Sequence, residues 1–218
     1  LKRYVFHESG TLVSGIIGGL YSSTATISVL ARKSRKASEQ EATEYVAAML
    51  LAVSMMFLRF MILILIFSRE IFLSIYPYLL IMSVVSAIVG WFVHSRQKLP
   101  KDTSIESEED DSSNPLEFKV ALIFAVLFVV FTVLTHYTLV YAGTSGLNLL
   151  SFVSGFSDIT PFILNLLQNT GSVAVLIITA CSMQAIVSNI LVNMFYALFF
   201  AGKRSKLRPW ILGGFGAV

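Results

Sequence analysis

The sequence has little charge and almost no cysteine. Charged residues make up 13% of the chain and hydrophobic residues 56%, with a mean hydropathy of +0.77. A composition this apolar excludes a soluble globular domain and predicts an all-α, polytopic helical membrane protein. Cys181 is the single cysteine and lies in an apolar run, which excludes internal disulfides and any cysteine-based metal cluster.

Lysine and arginine are absent from the long stretch between Val120 and Phe200. The net charge of +3 and the isoelectric point near 9.0 would suggest a nucleic-acid partner for a soluble protein. Here the basic residues lie between apolar runs, where they act as topology signals. We therefore expect the lipid bilayer as the partner, and no nucleic acid.

The residue patterns of membrane enzymes are also missing. The chain has no His-Glu-x-x-His, its three histidines are scattered, and Asp158 has no second aspartate at membrane depth for acid–base chemistry. The acidic run at residues 106–111 lacks the spacing of a calcium loop. The sequence thus predicts neither an enzyme nor a cofactor, and it leaves metal binding open.

The chain begins at Leu1, and a new apolar run that starts after Arg208 stops at Val218. We expect a single transmembrane domain over residues 1–218, cropped from a longer protein at both ends. Residues 94–118 change from basic to acidic and are rich in serine, which is typical of a mobile surface loop between two halves.

Four apolar runs are long enough to cross about 30 Å of hydrocarbon. They are residues 45–67, 71–93, 120–142 and 172–200. The first contains Arg59, which either extends to the nearer surface or pairs with an internal carboxylate. The last contains Ser188 and Asn189, which either line a polar seam or hold helices together.

A further apolar segment, residues 146–168, carries Asp158 and Pro161 at its middle. A carboxylate at membrane depth costs several kcal/mol and is usually functional. Pro161 opens the helix near Ser157, and Ser157 or Asp158 can then cap a second half-helix. The alternative is a kinked span whose polar groups are satisfied by neighbouring helices.

Residues 11–31 form a sixth apolar segment that is unusually rich in small residues. Gly18 and Gly19 indicate a break, and three capping residues follow them: Ser22, Ser23 and Thr24. In the alternative, Gly15, Gly19 and Ser23 form one helix face that packs closely against another helix.

The distribution of basic residues distinguishes crossing from re-entrant segments. If all six segments cross, then with Arg59 set aside the two faces receive seven and eight basic residues, which is no topology signal. If residues 11–31 and 146–168 return to their own side, one face receives fourteen and the other receives Arg69. The sequence thus predicts two re-entrant segments pointing at each other from opposite leaflets, as in an inverted repeat.

An internal match agrees with the inverted repeat. Residues 19–24 (Gly-Leu-Tyr-Ser-Ser-Thr) align with residues 155–160 (Gly-Phe-Ser-Asp-Ile-Thr). Each is followed, after a linker, by a long span with a polar residue inside, Arg59 in one and Asn189 in the other.

Four motifs resemble a known family: residues 18–26, Asn114-Pro-Leu-Glu-Phe-Lys, Ser154-Gly-Phe-Ser-Asp and Ser188-Asn. The chain resembles a bacterial and archaeal membrane domain of unknown function that is found C-terminal to MgtC/SapB-type domains. The resemblance covers nearly the whole chain and implies a multi-pass protein of the prokaryotic inner (plasma) membrane. It also implies an MgtC-like domain in the same parent chain. The family pattern often has a lysine where this sequence has Asn193.

Facing half-helix ends at the midplane of a membrane form binding sites in transporters. We therefore interpret the chain as a transporter or channel for a small ion or solute, with its site where the two broken helices meet. The predicted pathway residues are Ser22, Ser23, Thr24, Arg59, Ser154, Asp158, Thr160, Ser188 and Asn189. The alternative is a non-conducting membrane module that regulates or scaffolds a partner protein. A homo-oligomer fits either function.

The two ionisable groups deep in the apolar runs are Arg59 and Asp158, and their depths can match. Pairing them would relieve both buried charges. In the alternative, Arg59 extends to the surface and Asp158 is protonated or caps a half-helix. The sign of the substrate is open, since half-helix N-termini and Arg59 favour an anion, whereas Asp158 and the hydroxyls favour a cation or proton.

Overall fold

The structure, a computed structural model, describes residues 10–95, 115–168, 173–201 and 208–218. Within these residues it contains seven helices and no strand. They are α1 (Thr11–Lys36), α2 (Glu39–Phe67), α3 (Arg69–Ser95), α4 (Pro115–Ser154), α5 (Ile159–Gln168), α6 (Val175–Ala201) and α7 (Arg208–Gly216). The all-α prediction is confirmed.

Five helices in the described part of the chain have the length and apolarity to cross a membrane. They are α1, α3, α6, the part of α2 from Glu41 and the part of α4 from Ala125. Large apolar side chains point outward along these helices, among them Ile66 at 73% exposed and Leu176 at 79%. Apolar residues facing outward on long helices fit contact with lipid, and the chain is a helical membrane protein.

The chain divides into two compact units, each of which contains one of the predicted interrupted segments. The first unit comprises Leu1–Leu63, Tyr76–Glu106 and Ile190–Val218. The second comprises Ile64–Ile75 and Ser107–Asn189.

The core of the first unit is α2, in which every residue from 46 to 53 is buried. Serines of α3 hold α3 against α2. The Ser83 Oγ lies 3.0 Å from the Ser54 Oγ, and the Ser86 Oγ donates to the Leu50 carbonyl at 2.7 Å. Hydrogen bonds of this kind join apolar helices where no water competes. These bonds and the packing around them hold α3 and α2 together. α1 lies on the surface of α2.

α1 reverses direction at Ser22, whose backbone is extended (φ −156°, ψ 105°) within the helix. A β-carbon added to Gly18 would lie 2.5 Å from Oγ1 of Thr26. Residues eight apart in a straight helix are about 12 Å apart. Residues 11–21 (α1a) and 23–36 (α1b) are therefore the two arms of a hairpin. An interruption is present as predicted, but it lies at Ser22 and not at Gly18 and Gly19, which are helical.

The first arm, α1a, runs parallel to α2. A β-carbon on Gly19 would lie 2.5 Å from Cα of Ala52, and Gly15 lies equally close to the Ala48 carbonyl. The contacts advance together along both helices, so α1a and α2 share a direction. Because α1b ends two residues before α2 begins, α1b has to return the chain to the side where α1a starts. α1 thus has a re-entrant shape, although its 26 residues could cross a membrane by length alone.

α4 reverses direction at Gly143, where φ is +58°. A β-carbon on Gly146 would lie 2.5 Å from Cβ of Ala142 and 2.7 Å from Cγ2 of Thr138. Residues 144–154 (α4b) therefore fold back along residues 115–142 (α4a). The predicted segments 120–142 and 146–168 leave residues 143–145 as the connection between them. That connection is shorter in the structure, because glycine adopts a positive φ without strain and makes the turn by itself.

α5 returns the chain along α4a. The rings of Phe162 and Phe131 lie 5.6 Å apart, and Asn165 Nδ2 donates to Thr132 Oγ1 at 2.9 Å. α6 then runs parallel to α4b. The parallel direction follows from two contacts that advance together: Cys181 with Asn148, and Asn189 with Gly155. Since α4b and α6 start at the same level and share a direction, the chain between them returns, and α4b with α5 forms a second re-entrant hairpin.

Helix bounds agree with the predicted spans to within a few residues. α3 ends at Ser95 and α4 begins at Pro115, and proline is well tolerated in the first turn of a helix. Most of the predicted surface loop at residues 94–118 lies outside the described residues, since the structure describes nothing between 95 and 115.

The first testable prediction concerns membrane topology. We expect single cysteines at Ser9, Ser38 and Ser104, in a Cys181→Ala background, to react with an impermeant thiol reagent from the same face of sealed vesicles. A cysteine at Ser68 should react from the opposite face. Ser38 is chosen over Ser34 because Ser38 is exposed, whereas Ser34 is buried in α1b. Labelling of Ser9 and Ser38 from opposite faces would show that α1 crosses the membrane.

Candidate functional site

The first candidate site is the break in α1. The Ser22 Oγ accepts a hydrogen bond from the Ala25 N–H at 3.4 Å and so caps α1b. Ser23 is buried and Thr24 is half-buried directly after it. All three predicted hydroxyls therefore lie at the start of α1b, where backbone N–H groups have no partner within the helix.

Arg59 of α2 closes the other side of this break. Its Nη1 donates to the Tyr21 carbonyl at 2.8 Å, and its guanidinium lies 5.2 Å from the centre of the Phe60 ring. Tyr21 is the last residue of α1a, and the last carbonyls of a helix lack helical donors and carry partial negative charge. Arg59 therefore caps α1a. The sequence predicted a different partner for this side chain, a carboxylate or the membrane surface.

The second candidate site is the break between α4b and α5. The N–H groups of Gly155, Phe156 and Ser157 donate to carbonyls three residues earlier, at 3.2, 3.1 and 3.0 Å, so α4b ends in a tight turn. Asp158 Oδ1 then accepts from the Thr160 N–H at 3.0 Å and caps α5. The prediction that Ser157 or Asp158 caps a second half-helix is confirmed, with Asp158 as the cap.

Ser188 and Asn189 of α6 bond to the end of α4b. The Ser188 Oγ donates to the Phe152 carbonyl at 2.7 Å, and Asn189 Nδ2 donates to the Gly155 carbonyl at 3.1 Å. Gly155 permits this approach, because a β-carbon at that position would lie 2.8 Å from the backbone nitrogen of Asn189. The polar side chains of α6 thus hold the end of the half-helix by its carbonyls.

A ladder of hydroxyls along α4b leads into the second break. Ser151, Ser154 and Ser157 each donate to the carbonyl three residues earlier, at 2.7, 2.7 and 3.1 Å. Ser151 and Ser154 are buried. Of this ladder, the sequence reasoning named Ser154 as a site residue, and the three-residue spacing was the signal for the others. Because each of these hydroxyls uses its proton in a bond to the backbone, the lone pairs of its oxygen are available as acceptors.

Comparison with known proteins identifies the family of the chain. Residues 1–201 match the family described as "Domain of unknown function (DUF4010)". The chain belongs to this family. An uncharacterized protein of Aquifex aeolicus (strain VF5) is 26% identical over 205 residues, which cover 93% of this chain and 87% of that protein. No solved structure matches the chain. The family resemblance is confirmed as a domain of unknown function, and the association with MgtC stays a prediction.

The two breaks of the DUF4010 domain are built alike. Ser22 and Asp158, which occupy the same position in the internal match, each cap the half-helix that follows. Arg59 and Asn189 each donate to a carbonyl at the end of the half-helix that precedes, from a long helix that runs parallel to it. The same arrangement therefore occurs once in each unit. An inverted relation between the units stays a prediction.

Arg59 and Asp158 of the DUF4010 domain each have a backbone partner within their own unit. Arg59 bonds to Tyr21 in the first, and Asp158 bonds to Thr160 in the second. The contact of Asp158 is the one expected in the alternative to pairing, in which this carboxylate caps a half-helix. A pair between the two side chains would join the units, and it stays a prediction.

Metal ligands are sparse in the parts of the DUF4010 domain that the structure describes. Those residues contain no group of three or more histidine, cysteine, aspartate or glutamate side chains that could hold a metal ion. The chemistry available at the breaks is therefore that of hydroxyls, amides, one carboxylate and one guanidinium.

Proposed function

We propose that this DUF4010 domain carries a small ion or solute across the membrane, and that its two interrupted helices supply the binding groups. The observation that supports the proposal is the arrangement found in both units, a re-entrant helix broken at a polar cap. Discontinuous helices of this kind are where transporters bind their substrates and coupling ions.

The breaks leave polar groups where a continuous helix would have none. Ser157 and Asp158 are exposed at the tip of the second hairpin, and Tyr21 is 72% exposed at the tip of the first. Irregular backbone at membrane depth is tolerated where it is buried in protein or lines a water-filled cavity. An exposed carboxylate at such a tip therefore supports an aqueous pathway.

We also propose that the two breaks meet and form one site. This part of the proposal rests on the distribution of basic residues and on the internal match in the sequence. Cysteines at Ser22 and Ser157, in a Cys181→Ala background, should cross-link under mild oxidation. Cysteines at Ser74 and Ser157 are the control pair, for which no cross-link is expected.

A non-conducting scaffold is the alternative function. It would regulate or scaffold a partner protein, and the glycine and serine faces of the re-entrant segments would then serve helix packing alone. In the first unit, Gly15 and Gly19 are already covered by Ala48 and Ala52 of the same chain. This packing is compatible with both functions, so a flux measurement has to distinguish them.

Flux through proteoliposomes tests the proposal. Purified protein is reconstituted, and the movement of protons, monovalent and divalent cations and inorganic anions is followed one at a time. We expect Asn189→Ala to lower the rate of flux about tenfold. The substitution removes the hydrogen bond that positions the Gly155 carbonyl, and a loss of about 1.4 kcal/mol corresponds to a tenfold change in rate.

The matched control for Asn189→Ala is Ser74→Ala. The Ser74 hydroxyl bonds to the Glu70 carbonyl within its own helix, so its loss should leave the flux unchanged. Folded protein that moves none of the probes would favour the non-conducting module.

A further inference from the structure

We infer that the second break carries a proton and that the carboxylate of Asp158 is the group that binds it. This inference rests on the transport function proposed above and assigns the chemical class of the ion. It is carried by the charge around Asp158 and by the hydrogen bonds already made at the break.

Asp158 is alone among charged residues in a long part of the chain. Between Val120 and Phe200 the sequence contains no other Asp or Glu and no Lys or Arg. The remaining titratable side chains on the elements around this break are His136, Tyr137 and Tyr141 on α4a and Cys181 and Tyr196 on α6, and the start of α4 adds Glu117 and Lys119. The break is therefore electrically negative, and it favours a cation over an anion.

The charge of Asp158 requires neutralisation. Asp158 is exposed at the tip of the hairpin that α4b and α5 form, and it bonds to the Thr160 N–H within its own unit. In the re-entrant arrangement proposed above, water reaches this carboxylate only through the pathway, and an uncompensated charge at membrane depth is unfavourable. Uptake of a proton or of a metal cation removes that penalty.

The backbone carbonyls of residues 152–155, which lead into the break, are already bonded. Phe152 accepts from Gly155 and Ser188, Val153 accepts from Phe156, and Ser154 accepts from Ser157. The Gly155 carbonyl accepts from Asn189. In interrupted helices that bind sodium, freed carbonyls of this kind supply the ligands. Here they are engaged by donors from the protein.

A lone carboxylate suits a proton better than a metal. Mg²⁺ and Ca²⁺ need six or more oxygen ligands, and a single carboxylate leaves half of a divalent charge uncompensated. A proton needs the carboxylate oxygen alone. Asp158 then takes up one proton from the water on one side as its carboxylate becomes a neutral carboxylic acid, and it releases the same proton on the other side.

Proton flux provides the first test. Proteoliposomes containing a pH-sensitive dye are given an inside-negative potassium diffusion potential. We expect proton uptake by the native domain, at least a tenfold lower rate for Asp158→Asn, and retained uptake for Asp158→Glu. Glu70→Gln, which removes an exposed carboxylate at the start of α3, is the matched control and should leave the rate unchanged.

Three outcomes of this test differ in meaning. Uptake by Asp158→Asn at the native rate would overturn the inference. Flux of another ion with no proton movement and no dependence on pH would overturn it and leave the transport proposal standing. Absence of flux for every probe would overturn the transport proposal itself.

Carbodiimide labelling gives a test that does not depend on flux. A hydrophobic carbodiimide reacts with protonated carboxyl groups in apolar surroundings, and mass spectrometry locates the adduct. We expect labelling of Asp158 that increases as the pH falls and that is absent from Asp158→Asn. Protection by sodium or magnesium would assign a metal cation instead, and no labelling at any pH would show that Asp158 takes up no proton. Thermal unfolding of each variant confirms that it is folded.

Discussion

Replacing Gly19 by leucine is expected to destabilise the folded domain by about 3 kcal/mol or more. A β-carbon at this position would lie 2.5 Å from Cα and 2.6 Å from the carbonyl oxygen of Ala52. These are backbone atoms of the central helix, so the clash is relieved only by moving α1a away from α2. Gly155→Leu is expected to have an effect of similar size, because its β-carbon would meet Ser188 and the backbone nitrogen of Asn189.

The midpoint of thermal unfolding in detergent measures this effect. Gly213→Leu is the matched control, because it places the same side chain on a helical glycine with open space around it. Leu20→Ala, next to the first break, should also be mild since Leu20 is 45% exposed. Equal stability of all four variants would show that the hairpins are not packed as described.

Replacing Arg59 by methionine is expected to lower the free energy of unfolding by about 1 to 3 kcal/mol. Methionine fills a similar volume but has no donor for the Tyr21 carbonyl, which lies at the break of α1. An unsatisfied carbonyl at membrane depth is costly, and the helix dipole adds to the loss because the cap is cationic. Unfolding of the purified protein measures the change.

Arg32→Met is the control for Arg59→Met. Arg32 lies 4.5 Å from the centre of the Phe200 ring and is exposed, so its removal should lower the free energy of unfolding by about 1 kcal/mol or less. Combining Arg59→Met with Asp158→Asn completes a double-mutant cycle. We expect additive effects on stability, since each side chain has a backbone partner of its own. Recovery of much of the loss in the double variant would show that Arg59 and Asp158 pair.

Much of this architecture could be predicted from the sequence because the membrane restricts what each residue can do. Apolar runs of more than twenty residues locate the long helices. Polar residues beside Gly18, Gly19 and Pro161 locate the breaks, because interrupted backbone needs caps. The distribution of lysine and arginine predicts the membrane topology, since it distinguishes a segment that crosses from one that returns.

Partners across helices were harder to predict. Arg59 bonds to a carbonyl, and every residue supplies a carbonyl, so no sequence pattern identifies that of Tyr21. The predicted segments leave residues 143–145 as a connection, whereas the structure turns at Gly143 alone, for a related reason. Thr144 and Ser145 suit a loop by composition, but Gly143 makes the turn by itself and leaves them free to be helical. In such cases the local sequence is compatible with more than one structure, and tertiary packing determines which structure forms.

The parallel packing of each first half-helix has a consequence for the order of events during synthesis. The residues that cover α1a and cap its end, Ala48, Ala52 and Arg59, all belong to α2, which leaves the ribosome later. When α1 first meets the insertion machinery it is a helical segment of 26 residues that does not yet have α2 to pack against. Its hairpin shape is therefore acquired after α2 has entered the membrane. In a nascent chain truncated before Ala48, α1 would cross the membrane as an ordinary span. Only a longer chain that contains α2 would give α1 its re-entrant shape.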